Sequence, residues 1–226
     1  MLVKNWMTRD VITVDAEDSM LNAVNIMKEH KIRMLPVMFK GRPVGVVSDT
    51  DLKRASASDA TSLDVHELIY LVSRIKVKEI MTKDPIFVVQ DYTIEETAAL
   101  LRDKKISGVP VVDEKGGLVG IITRDDLFKV LTSLTGLSKR GIQFAFRIAD
   151  RSGSIKELTD IVRNYNGRIA AILSSYERAP EGFRNVYIRV YDIDREKLAP
   201  LQAELKAKAA MLYMVDYREN TRVVYE

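Results

Sequence analysis

The feature that most constrains the fold is an internal repeat. Val3 to Asp10 aligns with Val77 to Asp84 at a displacement of 74 residues. The register holds through Ser19/Thr93, Ile32/Ile106 and Leu35-Pro36-Val37 against Val109-Pro110-Val111. One residue is gained in the turn that holds Gly41 in the first copy and Gly116 in the second. Beyond it, Val44 to Ser48 matches Val119 to Thr123, and Asp51-Leu52 matches Asp126-Leu127. Identities are modest, but the Met-Thr, Pro-Val, Gly and Asp-Leu landmarks keep their order and nearly their spacing. A period of this kind marks one duplicated unit, so a single reading of local structure must serve both copies.

Each copy reads as strand, helix, strand, turn, strand, helix. Ile12 to Val14 and Ile86 to Val89 are short strand-like runs. Ser19 and Thr93 are N-cap residues, and Thr93 with Glu96 has capping-box spacing. Behind those caps, Met20, Ala23, Val24 and Met27 recur at the i, i+3, i+4, i+7 spacing of a one-sided helix, as do Ile94, Thr97, Ala98 and Leu101. Strands over Leu35–Phe39 and Val109–Asp113 return through Gly-containing turns to apolar strands at 44–47 and 119–122. Ser48 and Thr123 cap the helices that follow. Residues 55–76 read as a polar loop and an amphipathic helix over Val65–Arg74. The predicted division is 1–60 for the first copy, 61–76 for the linker, 77–137 for the second copy and 138–226 for a separate domain.

The doubled pattern of Met-Thr, Pro-Val and Gly, two apolar residues, Ser or Thr, then x-x-Asp-Leu, over residues 1 to about 135, resembles the tandem CBS-domain module. The resemblance implies two copies packed sheet to sheet about a pseudo-twofold axis. It also implies two clefts for adenosine-containing ligands (AMP, ADP, ATP, NAD or S-adenosylmethionine) and assembly as a homodimer. By that resemblance Asp51 and Asp126 are the ribose carboxylates, with Ser48 and Thr123 beside them. The base slot is then lined by the runs starting near Ile12 and Ile86, and by Leu35-Pro36 and Val109-Pro110.

The chemistry fits these residue types. A nucleoside needs an apolar slot, an acceptor for its ribose hydroxyls and donors for any phosphate. A carboxylate at a helix start accepts from both hydroxyls, and such charge-assisted bonds are the stronger ones. The same spacing is also a capping box with Asp in place of Glu or Gln. From the residues alone, each pair is either a nucleoside site or a helix cap. Many family members carry Arg immediately before the ribose Asp, where it reaches phosphate. Here that place holds Thr50 in the first copy and Asp125 in the second. Asp125 beside Asp126 disfavours phosphate, which points the second cleft toward a less anionic ligand such as S-adenosylmethionine. Arg33, Lys53 and Arg124 remain as candidate phosphate contacts.

From about Arg140 the repeat stops. Ile142 to Ile148 alternates as a strand, and Asp150 to Ile155 turns into a helix with Ile155, Leu158, Ile161 and Val162 on one face. Asn166-Gly167 ends it. Strands follow at 168–175 and 184–191, then a helix over Asp194–Ala209 with Leu198, Leu201 and Leu205 inward. A last strand falls within 211–217, and 221–225 adds another. The order βαββαβ is the ferredoxin-like plan, which makes the whole chain a mixed α/β (α+β) protein. With Asp150-x-x-Gly153-x-Ile155 at the first strand–helix turn, this part resembles the ACT domain, a regulatory module that binds amino acids at domain interfaces. The resemblance makes Asp150, Ser152 and Gly153 candidate ligand residues, although the family's frequent Pro is Ser152 here. Gly153 equally suits a tight turn, and dimerisation is the alternative role. A CBS doublet followed by an ACT-like domain is the layout of acetoin-utilisation (AcuB-type) proteins.

Composition narrows the function classes. With 35 basic and 32 acidic residues the chain carries a formal charge of +3 and no basic run, which argues against a nucleic-acid partner. The absence of cysteine removes thiol nucleophiles and cysteine metal sites, and it fits a reducing cytosol. His30 and His66 have no ligand spacing. No stretch approaches the roughly 18 apolar residues of a membrane span, and the start lacks a signal-peptide core. A P-loop, a G-x-G-x-x-G fingerprint and a nucleophile–base pair are all missing. The expectation is a cytoplasmic regulatory protein rather than an enzyme, with no metal and no catalytic cofactor. Its partners are a small regulatory ligand, a second copy of itself and a regulated enzyme. The alternative is a ligand-free adaptor that docks such an enzyme.

Overall fold

The computed structural model describes residues 1–59, 70 and 72–225, so the linking helix expected over Val65–Arg74 lies largely outside the described residues. The chain divides into two compact units, Met1–Phe128 and Lys129–Glu226. In the first copy, strand β1 (Val14–Asp15) is followed by helix α1 (Met20–Glu29), strands β2 (Met34–Phe39) and β3 (Arg42–Ser48) and helix α2 (Asp49–Asp59). The second copy opens with the short helix α3 (Val77–Ile80) and strand β4 (Thr82–Lys83). It continues through β5 (Val88–Val89), α4 (Ile94–Asp103), β6 (Gly108–Val112), β7 (Leu118–Thr123) and α5 (Arg124–Leu134).

The caps act as their spacing suggests. Ser19 Oγ accepts from Asn22 N at 3.2 Å, and Thr93 and Glu96 form a reciprocal capping box. Behind Ser19, α1 turns Met20, Ala23 and Met27 into a core shared with Val14, Leu35, Val37 and Val47. The opening strands are shorter than expected. Parallel pairing covers only Val14↔Val37 with Asp15↔Met38, and Val88↔Val111 with Val89↔Val112. Ile12 and Ile86 therefore stand ahead of their strands. Strand propensity is largely packing on a pleated surface, and these residues meet no partner strand. Ile12 still packs against the first core, while Ile86 is exposed.

The leading segment of each copy belongs physically to the other copy. Val77, at the head of the second repeat, is buried in the first core. Its segment bonds there through Met20 N to Ile75 O and Val77 N to Asp18 O, and β4 adds to the first sheet by Gly45↔Lys83 and Val46↔Thr82. The N-terminus does the same in return. Ile94 N donates to Met1 O, Val3 N to Tyr92 O, and Thr8 and Ile121 exchange both backbone bonds. Two glycines make room for the exchange. A Cβ on Gly45 would lie 2.4 Å from Met81 Sδ, and one on Gly120 would lie 2.4 Å from Met7 Sδ. At a third contact, equivalent positions meet each other. A Cβ on Gly108 would lie 2.6 Å from Met34 Cε, so a large residue and its small counterpart pack together where the repeats meet.

The second unit realises the βαββαβ plan with one added edge strand. Strand β8 (Ile142–Ala149), helix α6 (Ser154–Asn164), strands β9 (Arg168–Ser175) and β10 (Phe183–Tyr191), helix α7 (Leu198–Lys208), and strands β11 (Ala210–Asp216) and β12 (Thr221–Val224) follow in order. The sheet is antiparallel in the order β12-β11-β8-β10-β9. Phe144, Phe146 and Ile148 on β8 meet Leu158 and Val162 on α6 and Leu201 and Leu205 on α7. The helix expected from Asp194 begins instead with a 3-10 turn, Arg195–Lys197, under an Asp194 cap to Glu196 N. Pro200 falls in the first turn of α7, where its missing N–H does no harm. Asn166 ends α6 at a φ of 59°, in the left-handed region where Asn is tolerated.

Candidate functional site

The two Ser/Thr–Asp pairs lie at matching places in the first unit, each where the second strand of a hairpin passes into a helix. Ser48 ends β3 opposite Met34, and Thr123 ends β7 opposite Gly108. The helix starts are pinned by Asp49 N donating to Arg33 O at 3.0 Å and Arg124 N to Ser107 O at 2.9 Å. In the first copy, Asp51 Oδ2 accepts from Ser48 N at 2.9 Å and from Ser48 Oγ at 2.6 Å, while Asp51 N donates to Ser48 Oγ at 3.3 Å. The second copy repeats this with Asp126 Oδ2 at 3.0 Å from Thr123 N and 2.7 Å from Thr123 Oγ1. Both carboxylates are thus held rigid through one oxygen, at a helix start whose dipole favours the charge. Asp51 Oδ1 points toward the Arg54 guanidinium, 3.7 Å away.

The surroundings differ in charge. Arg33 is exposed beside the first helix start, and Ser107 takes its place in the second copy. Lys53 is exposed and ion-paired to Asp49 at 3.3 Å. In the second copy, exposed Arg124 and Asp125 stand next to buried Asp126. Ser48, Asp51, Arg33 and Lys53 are therefore brought to one end of the first hairpin, and Thr123, Asp126 and Arg124 to one end of the second.

The expected base-slot residues are less accessible. Leu35 has no exposed surface and Val109 has 1%, because both side chains fill the interior. Pro36 and Pro110 are buried beside them. Since side chains alternate across a strand, Met34 and Pro36 share the face of β2 opposite Leu35, and Met34, which sequence reasoning passed over, is buried as well. Sequence reasoning also missed Arg54, which the i, i+3 spacing to Asp51 could have revealed. The exchanged leaders were not legible at all, because nothing in a repeat's own sequence says which copy its first segment covers.

In the second unit, Asp150 lies 3.5 Å from Arg184 Nε and accepts from Tyr176 Oη at 3.4 Å. Ser152 is exposed, and Gly153 adopts a φ of 82° with nothing within 4 Å of an added Cβ, so backbone conformation is what requires glycine there. Among the described residues, no group of three or more His, Cys, Asp or Glu is placed to hold a metal ion, and no helix is long and apolar enough to cross a membrane.

The family model described as CBS domain matches residues 3–58 and 77–133. The chain is 37% identical over 125 residues to an inosine-5′-monophosphate dehydrogenase of Korarchaeum cryptofilum, a match covering 55% of this chain but only 23% of that enzyme. It is 30% identical over 131 residues to a CBS domain-containing protein of Dictyostelium discoideum, covering 58% of this chain and 90% of the relative. Among solved structures, a CBS domain pair in complex with 5′-methylthioadenosine and S-adenosyl-L-methionine superposes with a TM-score of 0.50 at 29% identity, covering 58% of this chain and 99% of the other.

Proposed function

Because the chain belongs to the CBS domain family, we propose that it is a regulatory sensor that binds an adenosine-containing ligand at Asp51 and Asp126. The observation that carries this reading is the doubled carboxylate lock: two aspartates, each fixed by one oxygen at a helix start, each in the same place within its repeat. A fixed carboxylate is prepared to accept from ribose hydroxyls without losing side-chain freedom on binding. The solved CBS pair that carries two adenosyl compounds supports the ligand class.

The two clefts are proposed to differ. Arg33 and Lys53 suit the first to a phosphate-bearing ligand such as AMP, ADP, ATP or NAD. Asp125 suits the second to S-adenosylmethionine or another adenosyl compound without phosphate, with Arg124 the one candidate phosphate contact there. Because β4 lies on β3 and the Thr8 segment lies on β7, a ligand at either hairpin end has a path to the other repeat. A ligand shifts such an equilibrium only by its differential affinity for the two arrangements.

The C-terminal domain is proposed to be ACT-like, serving dimerisation or amino-acid sensing at the Asp150–Gly153 turn, in an AcuB-type, cytoplasmic, non-enzymatic protein. A homodimer is supported by Phe128, Leu131 and Leu134 on α5, exposed at 62%, 53% and 43% in steps of three. A partner enzyme would be the regulated target. One observation favours the rival adaptor reading: each aspartate already serves its helix as a cap.

Thermal unfolding against AMP, ADP, ATP, NAD, S-adenosylmethionine and 5′-methylthioadenosine separates the two. A ligand at 100 times its dissociation constant stabilises the folded state by about 2.7 kcal/mol. That raises the midpoint by several degrees, at about 2–4 °C per kcal/mol for a chain of this size. No rise with any compound, in protein freed of co-purified ligand, leaves the adaptor reading in possession.

A further inference from the structure

Three cations converge at the end of β8 that lies opposite the Asp150–Gly153 turn. A pocket of about 360 Å³ opens there, between the 3-10 turn Leu137–Lys139 ahead of β8 and the turn that follows β11. Its wall is Ser138, Lys139, Arg140 and Arg218: one hydroxyl, three positive charges and no carboxylate.

The backbone fixes these residues in place. Tyr217 N donates to Gly141 O at 3.1 Å, which ties the two turns together one residue from Arg140 and one residue from Arg218. Gly141 has no room for a Cβ beside Val190 O, so the chain is pressed against β10 at that point. Arg140 is held there at a φ of 44°, a left-handed conformation uncommon for a long side chain. The turn after β11 is pinned as well, because Asp216 Oδ1 accepts from Arg218 N at 2.9 Å and Glu219 N at 3.3 Å.

The nearby acids face other cations. Asp192 lies 3.7 Å from Arg168, and Asp216 and Glu219 both face Arg195. Among the described residues, Lys139, Arg140 and Arg218 form no ion pair. The Lys139 ammonium instead lies over the Tyr191 ring, 5.4 Å from its centre, a ring it shares with Arg168. One unpaired cation on a surface is ordinary. Three around one fixed pocket repel one another, and an anion relieves them. No apolar side chain stands in the wall to hold a base or a hydrocarbon tail. Recognition there is of charge and oxygen geometry, and guanidinium forks match phosphate oxygens.

We propose that this pocket binds a run of condensed phosphate groups, of the pyrophosphate or tripolyphosphate type, through Lys139, Arg140, Arg218 and the Ser138 hydroxyl. The site is independent of the adenosyl clefts, which lie in the first unit. It differs in place and in ligand from the turn at Asp150–Gly153. The same chemistry occurs in the tail of a nucleoside triphosphate, but the bare wall gives the nucleoside nothing to bind.

The test is calorimetric titration, at fixed ionic strength, with pyrophosphate, tripolyphosphate, ATP, orthophosphate and citrate. The full chain carries Arg33→Gln and Lys53→Gln, so the first cleft's proposed phosphate contacts are gone and the result is readable whether or not the clefts bind nucleotides. The expected result is saturable binding of a condensed phosphate, with orthophosphate weaker because it spans fewer of the cations. Affinity falls about tenfold in Arg140→Gln and in Arg218→Gln, the loss of one charge-assisted contact. It changes far less in Arg168→Gln, whose charge Asp192 already answers. ATP binds no tighter than tripolyphosphate. Without ligand, the melting midpoint of Arg218→Gln is not lowered, since the change removes repulsion; a lowered midpoint would make the cations structural and overturn the proposal. Absence of saturable binding at millimolar ligand overturns it too. So does an affinity indifferent to Arg140 and Arg218, citrate binding as well as pyrophosphate, or ATP binding tighter than tripolyphosphate.

Discussion

At the scale of single residues, the question is what Asp51 and Asp126 are for, and the same atoms answer it twice. Each Oδ2 caps a helix, which was legible in the spacing Ser48-x-x-Asp51 and Thr123-x-x-Asp126. The proposed nucleoside role rests on the charge of the carboxylate, which spacing alone does not report. Substitution to Asn keeps an acceptor for the Ser48 or Thr123 N–H but removes the charge. Asp51→Asn is therefore expected to cost less than about 1 kcal/mol of stability, within the range of a weakened cap. It should lower affinity for a phosphate-bearing adenosine ligand about tenfold or more. Chemical denaturation and ligand titration on the same variant check both parts. Leu35 and Val109 are buried, which spacing alone did not report, for a physical reason: a strand's apolar side chains face two ways, and only the partner layers decide which face is core.

At the scale of elements, most of the architecture was readable. Caps at Ser19 and Thr93, the paired hairpins, and the βαββαβ order are set by local chemistry and periodicity. What escaped was long-range. The first turn of the chain packs on the second repeat, and β4 packs on the first, through contacts separated by tens of residues that no local pattern encodes. Removal of residues 1–8 should accordingly destabilise the second repeat more than the first. Hydrogen exchange would show faster amides on β7, which loses Thr8 as a partner, and on the start of α4. The methionine contacts give a finer test. Gly45→Ala forces its Cβ against Met81 and is expected to cost about 1–3 kcal/mol, as overpacking does. Adding Met81→Ala should relieve part of that penalty, so the double variant falls short of additivity.

At the scale of the whole molecule, the two units carry different sensitivities. In the second unit, Asp216 is almost fully buried beneath Arg195. Burial pushes its carboxyl up, but bonds from Arg195 and from the backbone N–H groups of Arg218 and Glu219 outweigh it and hold the group below its ordinary value of 3.8. A depressed carboxyl contributes stability that is present above the unfolded-state value and lost as pH falls through the folded one. The second unit should weaken below about pH 4. Asp216→Ala should cost about 2–3 kcal/mol near neutrality, with much less further loss on acidification. Acid titration followed by near-ultraviolet dichroism of the wild type and the variant would report it. In the first unit, by contrast, the largest response is expected to ligand.

The central claim, a sensor that reads adenosine compounds through two fixed aspartates, is tested most directly by calorimetric titration of S-adenosylmethionine and AMP into four proteins: wild type, Asp51→Asn, Asp126→Asn and the double variant. The account predicts that wild type binds, that AMP depends mainly on Asp51 and S-adenosylmethionine mainly on Asp126, and that the folded double variant binds neither. Binding that survives in the double variant, or its absence from ligand-free wild type, contradicts it.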